Sequence, residues 1–64
     1  MKDYQQRVVN EKTELDERTD KLEAFIFGER FKSVPTDEQE RMIKQLAVMF
    51  SYREILRQRI AAFT

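Results

Sequence analysis

The chain has 64 residues, with 12 Lys plus Arg against 12 Asp plus Glu, and it contains no Cys and no His. This balance gives no overall field that would attract long nucleic acid or an anionic membrane. The missing residue types exclude disulfides and the commonest metal ligands, so neither a metal nor another cofactor is predicted. We expect one domain over residues 1–64. Its single hydrophobic core contributes at most about 3–5 kcal/mol to the free energy of unfolding.

The first predicted helix covers residues 3–27, and Asp3 is a suitable N-cap. Its apolar side chains form one narrow stripe, which Lys12 and Thr19 interrupt. The members of the stripe are Tyr4, Val8, Leu15, Leu22 and Ile26. Gly28, the only glycine, is expected to end the helix.

The predicted connector covers residues 28–36. The segment Glu-Arg-Phe-Lys-Ser within it allows one more short turn, in which Phe31 and Val34 would fold back over the open end of a hairpin. Pro35 disfavours helix at the residue before it, so a new element should begin just after it.

The second predicted helix covers residues 37–63, and Thr36 with Gln39 has the pattern of a capping box at its start. Apolar residues recur at steps of three and four, and flanking rows widen this stripe into a broad arc. Two long helices joined by a short connector predict an all-α fold, an antiparallel two-helix hairpin.

The arc on the second helix is too broad for the narrow stripe of the first helix to cover. An uncovered remainder would be a larger apolar patch than monomers usually expose. We therefore expect a homo-oligomeric helical bundle, a dimer or a higher assembly. The predicted oligomer interface consists of Met42, Ile43, Leu46, Met49, Phe50, Leu56, Ile60 and Phe63.

The usual catalytic groups are missing from the sequence. Ser33 and Ser51 have no His partner, which excludes a Ser–His triad. A single glycine cannot form a glycine-rich phosphate loop. The chain is therefore predicted not to be an enzyme.

Arg53 is the one charged residue near the centre of the apolar arc. It could pair across the hairpin with Glu11 or Glu14 or reach outward along its aliphatic stem, or it could set the register between helices. In a third interpretation, two or more copies form a basic pocket for a small phosphorylated nucleotide, in which guanidinium groups bind phosphates and tyrosines stack on bases. The candidate ligand-binding residues are Arg53, Arg57, Tyr52, Tyr4, Arg7 and Lys12.

A motif runs through both predicted helices. It reads Tyr4-Gln5-x-Arg7-Val8, Glu14-Leu15-Asp16, Lys21-Leu22-x-x-Phe25-Ile26, Pro35-x-x-x-x-Glu40, Gln45-Leu46-x-x-Met49-x-x-Tyr52 and Ile55-Leu56-x-x-Arg59-Ile60. From Tyr4 to Phe63 the chain resembles a family of short proteins encoded by tailed bacteriophages and prophages, including crAss-like gut phages. No catalytic residue is carried over from that family.

The resemblance implies a phage accessory protein in the cytoplasm of the infected bacterial host. Small helical phage proteins of this kind include anti-CBASS sponges, which sequester cyclic nucleotide signals between subunits. By this analogy the expected partners are further copies of the chain and a small cyclic oligonucleotide, with no membrane and no long nucleic acid. Two alternatives stay open: an adaptor or inhibitor that docks a host helix, and a structural phage protein.

Overall fold

The computed structural model describes residues 1–63. Two long helices, α1 (Asp3–Ile26) and α2 (Thr36–Ala61), are joined by a short 3-10 helix at Glu29–Ser33. The start of α1 meets the end of α2, so the helices run antiparallel in a rod of 46 × 15 × 14 Å. All regular structure in these residues is helical, which confirms the predicted all-α class.

The N-terminus of α1 is capped one residue earlier than predicted. Lys2 is the N-cap, and its backbone N–H donates to Gln5 Oε1 at 2.9 Å. Asp3 is therefore the first helical residue, where its charge complements the helix dipole. The prediction of Asp3 as the N-cap is wrong because Gln5 is buried and its side chain turns back to Lys2.

The start of α2 differs from a capping box. Pro35 occupies the N-cap position, and the Gln39 amide donates to Phe31 O at 2.8 Å and to Val34 O at 3.0 Å. The predicted reciprocal pairing of Thr36 with Gln39 is wrong, because the amide instead satisfies carbonyls at the end of the 3-10 helix. Gln39 thereby ties the connector to α2.

Replacing Gln39 with alanine is expected to lower the free energy of unfolding by about 1 kcal/mol, since two half-buried carbonyl oxygens lose a donor. Urea titration monitored by circular dichroism measures this change. Gln45→Ala is the matched control, because the Gln45 amide is exposed and contacts only Met49 Sδ at 3.9 Å. Equal losses in both variants would contradict the role given to Gln39.

The connector covers the open end of the hairpin with an aromatic pair. Phe31, which is half-buried, meets Phe25 edge to face at 6.4 Å between ring centroids. This confirms the prediction that Phe31 folds back over the end of the hairpin. A Cβ atom at Gly28 would lie 3.2 Å from Ala24 O, so the glycine permits a close approach of the backbone at this bend.

The core lies along the seam between the helices. Val8 and Leu15 of α1 pack with Leu56 of α2, which is fully buried. Met49, Ile60 and Phe63 pack around this cluster. Thr19 is also buried, and its hydroxyl donates to Leu15 O at 2.6 Å, so the polar group is satisfied within α1.

Part of the apolar arc of the second helix lies in the seam between the helices, although it was predicted to form contacts between copies. Leu46 and Leu56 are buried inside the single hairpin. Their assignment to an oligomer interface is therefore wrong, because their side chains are already removed from solvent. Of the residues predicted for that interface, Ile43 and Phe50 are exposed in the single chain.

An exposed apolar surface nevertheless persists along α2. We call these exposed residues together the α2 apolar surface: Ile43 and Phe50 lie on one side of the seam, and Val48, Tyr52 and Ile55 lie on the other, because successive residues are 100° apart around the helix axis. The exposed fraction of these residues ranges from 37% at Phe50 to 67% at Val48. Self-association stays a prediction, and this surface is the part of the molecule that favours it. Within residues 1–63, neither long helix has a stretch long and apolar enough to cross a bilayer.

Candidate functional site

A groove of about 500 Å³ lies along one side of the seam between the two helices. We call it the charged groove. Its lining residues are Lys12, Asp16 and Asp20 from α1, with Phe50, Arg53, Glu54 and Arg57 from α2. They share a side because residues three or four apart stack on one face of a helix.

Arg53 lies at the centre of the groove. Its Nε is 3.7 Å from Asp16 Oδ1 and its Nη1 is 3.9 Å from Asp20 Oδ1. Both distances are too long for a hydrogen bond, although each is an ion pair. The guanidinium carbon lies 5.2 Å from the centroid of the Phe50 ring, in a cation–π contact.

The cross-hairpin partners of Arg53 differ from those expected. Pairing across the hairpin does occur, but with Asp16 and Asp20 and not with Glu11 or Glu14. The physical reason is rotational, because successive residues are 100° apart around the helix axis. Asp16 falls on one side of the buried stripe of α1, whereas Glu11 and Glu14 fall on the other.

Asp16 has two oxygen atoms in different environments. Oδ2 accepts a hydrogen bond from Lys12 Nζ at 2.8 Å. Oδ1 is buried and has no hydrogen-bond partner among residues 1–63. This acceptor is closed to solvent, and the guanidinium beside it also lacks a close hydrogen-bond partner.

Arg57 differs from Arg53 because its guanidinium is already paired with the carboxylate of Glu54. Its guanidinium donates to both oxygens of Glu54, with an Nε–Oε2 distance of 2.8 Å. Gln58 adds a weaker hydrogen bond to the same carboxylate at 3.3 Å. The Arg57 bond, with that of Gln58, lowers the pKa of Glu54 from 4.5 to about 2, and Glu54 in turn raises the pKa of Arg57.

An acid titration followed by NMR of the Glu54 side-chain carboxyl should give a midpoint near pH 2. Because the pKa is lower in the folded chain, the stabilisation from this pair is complete above the unfolded value and is lost as the pH falls toward 2. Arg57→Gln should raise the pKa of Glu54 toward 4.5. A midpoint near 4.5 in the unsubstituted chain would contradict the pairing.

Three of the six predicted ligand-binding residues lie together. Lys12, Arg53 and Arg57 line the charged groove. Their convergence follows from the antiparallel packing, which sets the middle of α1 against the second half of α2.

The other three predicted residues lie outside the groove. Tyr4 packs edge to face on Phe63 at 6.0 Å, and it is about 18 Å from Asp16 along α1. Arg7 is exposed on the first half of α1. Tyr52 is exposed and belongs to the α2 apolar surface. In a single hairpin the tyrosines therefore do not line the cavity that holds Arg53.

The sequence interpretation missed four lining residues. Phe50 had been assigned to the interface, although it supplies the aromatic face next to Arg53. Asp16, Asp20 and Glu54 had not been assigned to the site. The spacing of Lys12, Asp16 and Asp20 at steps of four was the available signal, since it places all three on one helical face.

Comparison with known proteins gives a family and a phage relative. The Sequestin family model matches residues 2–62. A curated relative from Enterobacteria phage T4, described as an uncharacterized 7.5 kDa protein in the denB-rIIB intergenic region, is 38% identical over 60 residues, which is 94% of each chain. No solved structure gives a significant match.

These matches support the predicted relation to small phage accessory proteins. The narrower link to crAss-like phages stays a prediction. The family match covers both helices and the connector completely, so its range includes every residue that lines the charged groove. The chain belongs to the Sequestin family.

Proposed function

We propose that this chain is a non-enzymatic phage protein that sequesters a cyclic nucleotide immune signal of the infected bacterium. The family name suggests sequestering, and the relative from phage T4 supports a phage context. The class of ligand is proposed from the chemistry of the charged groove, because a fold alone does not identify a function.

This proposal rests mainly on the exposure of Arg53 and on the distances to its neighbours. Its side chain is 34% exposed, its ion pairs are longer than hydrogen bonds, and it lies over the ring of Phe50. A guanidinium with free donors binds phosphate oxygens in a bidentate manner. An aromatic ring beside it gives a nucleobase a surface for stacking. Arg53 and Phe50 together suit a ligand that is both phosphorylated and aromatic.

We further propose that a second copy completes this site. Phe50 and Ile43 lie on the same side of α2, because they are seven residues apart, and both are exposed. Pairing of copies on this side would cover both residues and close the groove from water. Exclusion of water would strengthen the attraction between Arg53 and a phosphate, because the effective dielectric constant falls.

Calorimetric titration with a panel of cyclic di- and trinucleotides tests the proposal. At least one member should bind with saturable heat at a protein concentration that keeps the assembly intact. The ligand should be recovered unchanged by chromatography after the protein is denatured, because no reaction follows binding. Absence of heat with the whole panel would overturn the proposal, and recovery of a cleaved ligand would overturn its non-enzymatic part.

A second candidate function rests on a different observation, the exposure of Val48 and Ile55 on α2. An apolar helix face can dock a helix of another protein. A host protein that binds a monomeric form of this chain, and that loses binding in Val48→Asp, would favour an adaptor or inhibitor over a nucleotide-sequestering protein.

A further inference from the structure

We infer that the side of the hairpin away from the charged groove binds a second copy of this chain, about a two-fold axis that passes beside Tyr52. This contact is distinct from the pairing proposed through Ile43 and Phe50, which lie on the groove side of α2. We call this side the second face. It carries Val48, Tyr52 and Ile55 of α2, together with Glu11, Glu14 and Arg18 of α1.

The apolar part of the second face is arranged evenly about Tyr52. Val48 lies four residues before it and Ile55 three residues after it, so the three side chains share one side of α2. Their exposed fractions are 67% for Val48, 41% for Tyr52 and 54% for Ile55. When a second α2 is laid antiparallel with the two Tyr52 side chains together, Val48 meets the partner's Ile55. The contact therefore covers all three side chains in both copies.

The charged part of the second face is ordered along α1. Glu11 and Glu14, which are almost one turn apart, come before Asp16, and Arg18 comes after it. Among residues 1–63, Glu11, Glu14 and Arg18 form no ion pair with any other residue. An antiparallel copy centred on Asp16 places the partner's Arg18 opposite Glu14. Opposite charges then meet twice, once on each side of the axis.

The apolar and the charged pattern have the same centre. Asp16 forms an ion pair with Arg53, the residue next to Tyr52, so Asp16 and Tyr52 lie at the same height along the rod. One axis at this height therefore serves both helices. A helix of an unrelated protein would also cover the apolar residues, but its binding does not require the two centres to coincide. The coincidence favours a second copy, because a two-fold contact is self-complementary about its axis.

The other arginines of the second face meet no like charge in this arrangement. Arg7 of α1 lies opposite the partner's Phe25, and Arg59 of α2 lies opposite the partner's Gln45, because the members of each pair are equally far from the axis. Arg41 is already paired with two acids of its own helix. The contact therefore gains opposite charges at its centre without bringing arginines together.

The second face is large enough for a stable contact. The rod is 46 Å long and 15 Å wide, so one side offers about 690 Å² in projection, close to the roughly 800 Å² per partner of a standard interface. Pairing on the second face and on the groove side together would give a closed assembly with an even number of copies, four or more.

Introduced cysteines test the register, because the chain has no cysteine of its own. Val48→Cys and Ile55→Cys are mixed and mildly oxidised, and intact mass spectrometry separates the disulfide-linked heterodimer from the homodimers. The heterodimer should predominate, because identical positions are about 9–12 Å apart along the axis of an antiparallel pair. Ser51→Cys, which is exposed and turned away from the second face, should give little dimer. A heterodimer at or below its share in random pairing, or no disulfide-linked dimer, would overturn the inference.

Ile43→Asp isolates the second face, because it disrupts the pairing proposed on the groove side. In sedimentation equilibrium at micromolar concentration this variant should have twice the mass of one chain, 7.8 kDa, and adding Val48→Asp should lower the mass to 7.8 kDa. Adding Ser51→Asp instead is the matched control and should leave the doubled mass unchanged. Circular dichroism should show the same helix content in all three. A mass of 7.8 kDa for Ile43→Asp alone would overturn the inference and leave Val48 and Ile55 free for another protein.

Charge reversal tests the contact between Glu14 and the partner's Arg18. In the Ile43→Asp chain, Arg18→Glu should weaken the pairing by roughly ten-fold, because two symmetric ion pairs become contacts between acids. Adding Glu14→Arg should restore the pairing, since the charges are then exchanged. Equal pairing with and without Arg18→Glu would overturn the inference. Nucleotide binding is measured separately, so the proposed function stands or falls on its own titrations.

Discussion

Leu56→Ala is expected to unfold most of the hairpin at 25 °C. Leu56 is fully buried and packs against Val8 and Leu15, so truncation leaves a cavity in the buried cluster that joins the two helices. Such truncations cost about 2–5 kcal/mol. A core of this size supplies at most about 3–5 kcal/mol, so the loss is comparable with the total. Thermal unfolding followed by circular dichroism measures the effect.

Ile55→Ala is the matched control, because it removes the same number of carbon atoms from the adjacent residue. Ile55 is 54% exposed, so its truncation should cost the hairpin much less than that of Leu56. If Ile55 contacts another copy, its loss should lower the mass of the assembly and not the helix content of each chain. Equal losses of helix content in the two variants would contradict the position of the core.

If the chain binds a cyclic nucleotide as proposed, Arg53→Gln is expected to weaken that binding by roughly a hundred-fold, because a phosphate loses its charged, forked donor. The substitution keeps most of the side-chain volume and also releases Asp16 and Asp20 from their ion pairs. Two unpaired carboxylates would then face the phosphate, which adds repulsion to the lost attraction. Calorimetry with the tightest ligand of the panel measures the change.

Arg59→Gln is the control for this prediction, since Arg59 is an exposed arginine of the same helix that does not line the groove. Arg53→Lys tests the geometry, because it keeps the charge and loses the planar fork. We expect Arg59→Gln to bind like the unsubstituted chain and Arg53→Lys to be intermediate. Equal binding by Arg53→Gln and Arg59→Gln would exclude Arg53 from the site.

The elements of the fold could be predicted because each leaves a local signal. The spacing of apolar residues defines both helices, and Pro35 separates them. The short turn after Gly28 is present as the 3-10 helix at Glu29–Ser33. Capping details could not be predicted as well, since Gln5 and Gln39 each had several possible hydrogen-bond partners within reach. In the folded chain Gln5 pairs with the backbone of Lys2, and Gln39 pairs with carbonyls of the connector.

The candidate site could be predicted only in part. Arg53 was identifiable because a charged residue interrupts an apolar stripe. Its partners depend on the rotation and axial register of one helix against the other, which hydrophobic spacing does not fix to within one turn. For this reason Asp16 and Asp20 could not be chosen over Glu11 and Glu14 before the helices were placed together.

Polar residues in the core were harder to predict than apolar ones. Thr19 lies within the apolar stripe of α1, which places it toward the second helix, but its polar residue type does not predict burial. Its hydroxyl is satisfied by the carbonyl of Leu15, four residues earlier in the same helix, so burial leaves no unpaired group. Residue type alone does not reveal such a local hydrogen bond, because the same side chain could equally face water.

Sedimentation equilibrium at micromolar concentration tests whether copies of this hairpin cover Ile43 and Phe50 of one another and enclose the groove that holds Arg53. We predict a mass that is two or more whole multiples of 7.8 kDa. A mass of 7.8 kDa, with Ile43 and Phe50 accessible to solvent, would show that copies of the hairpin do not cover this side of α2.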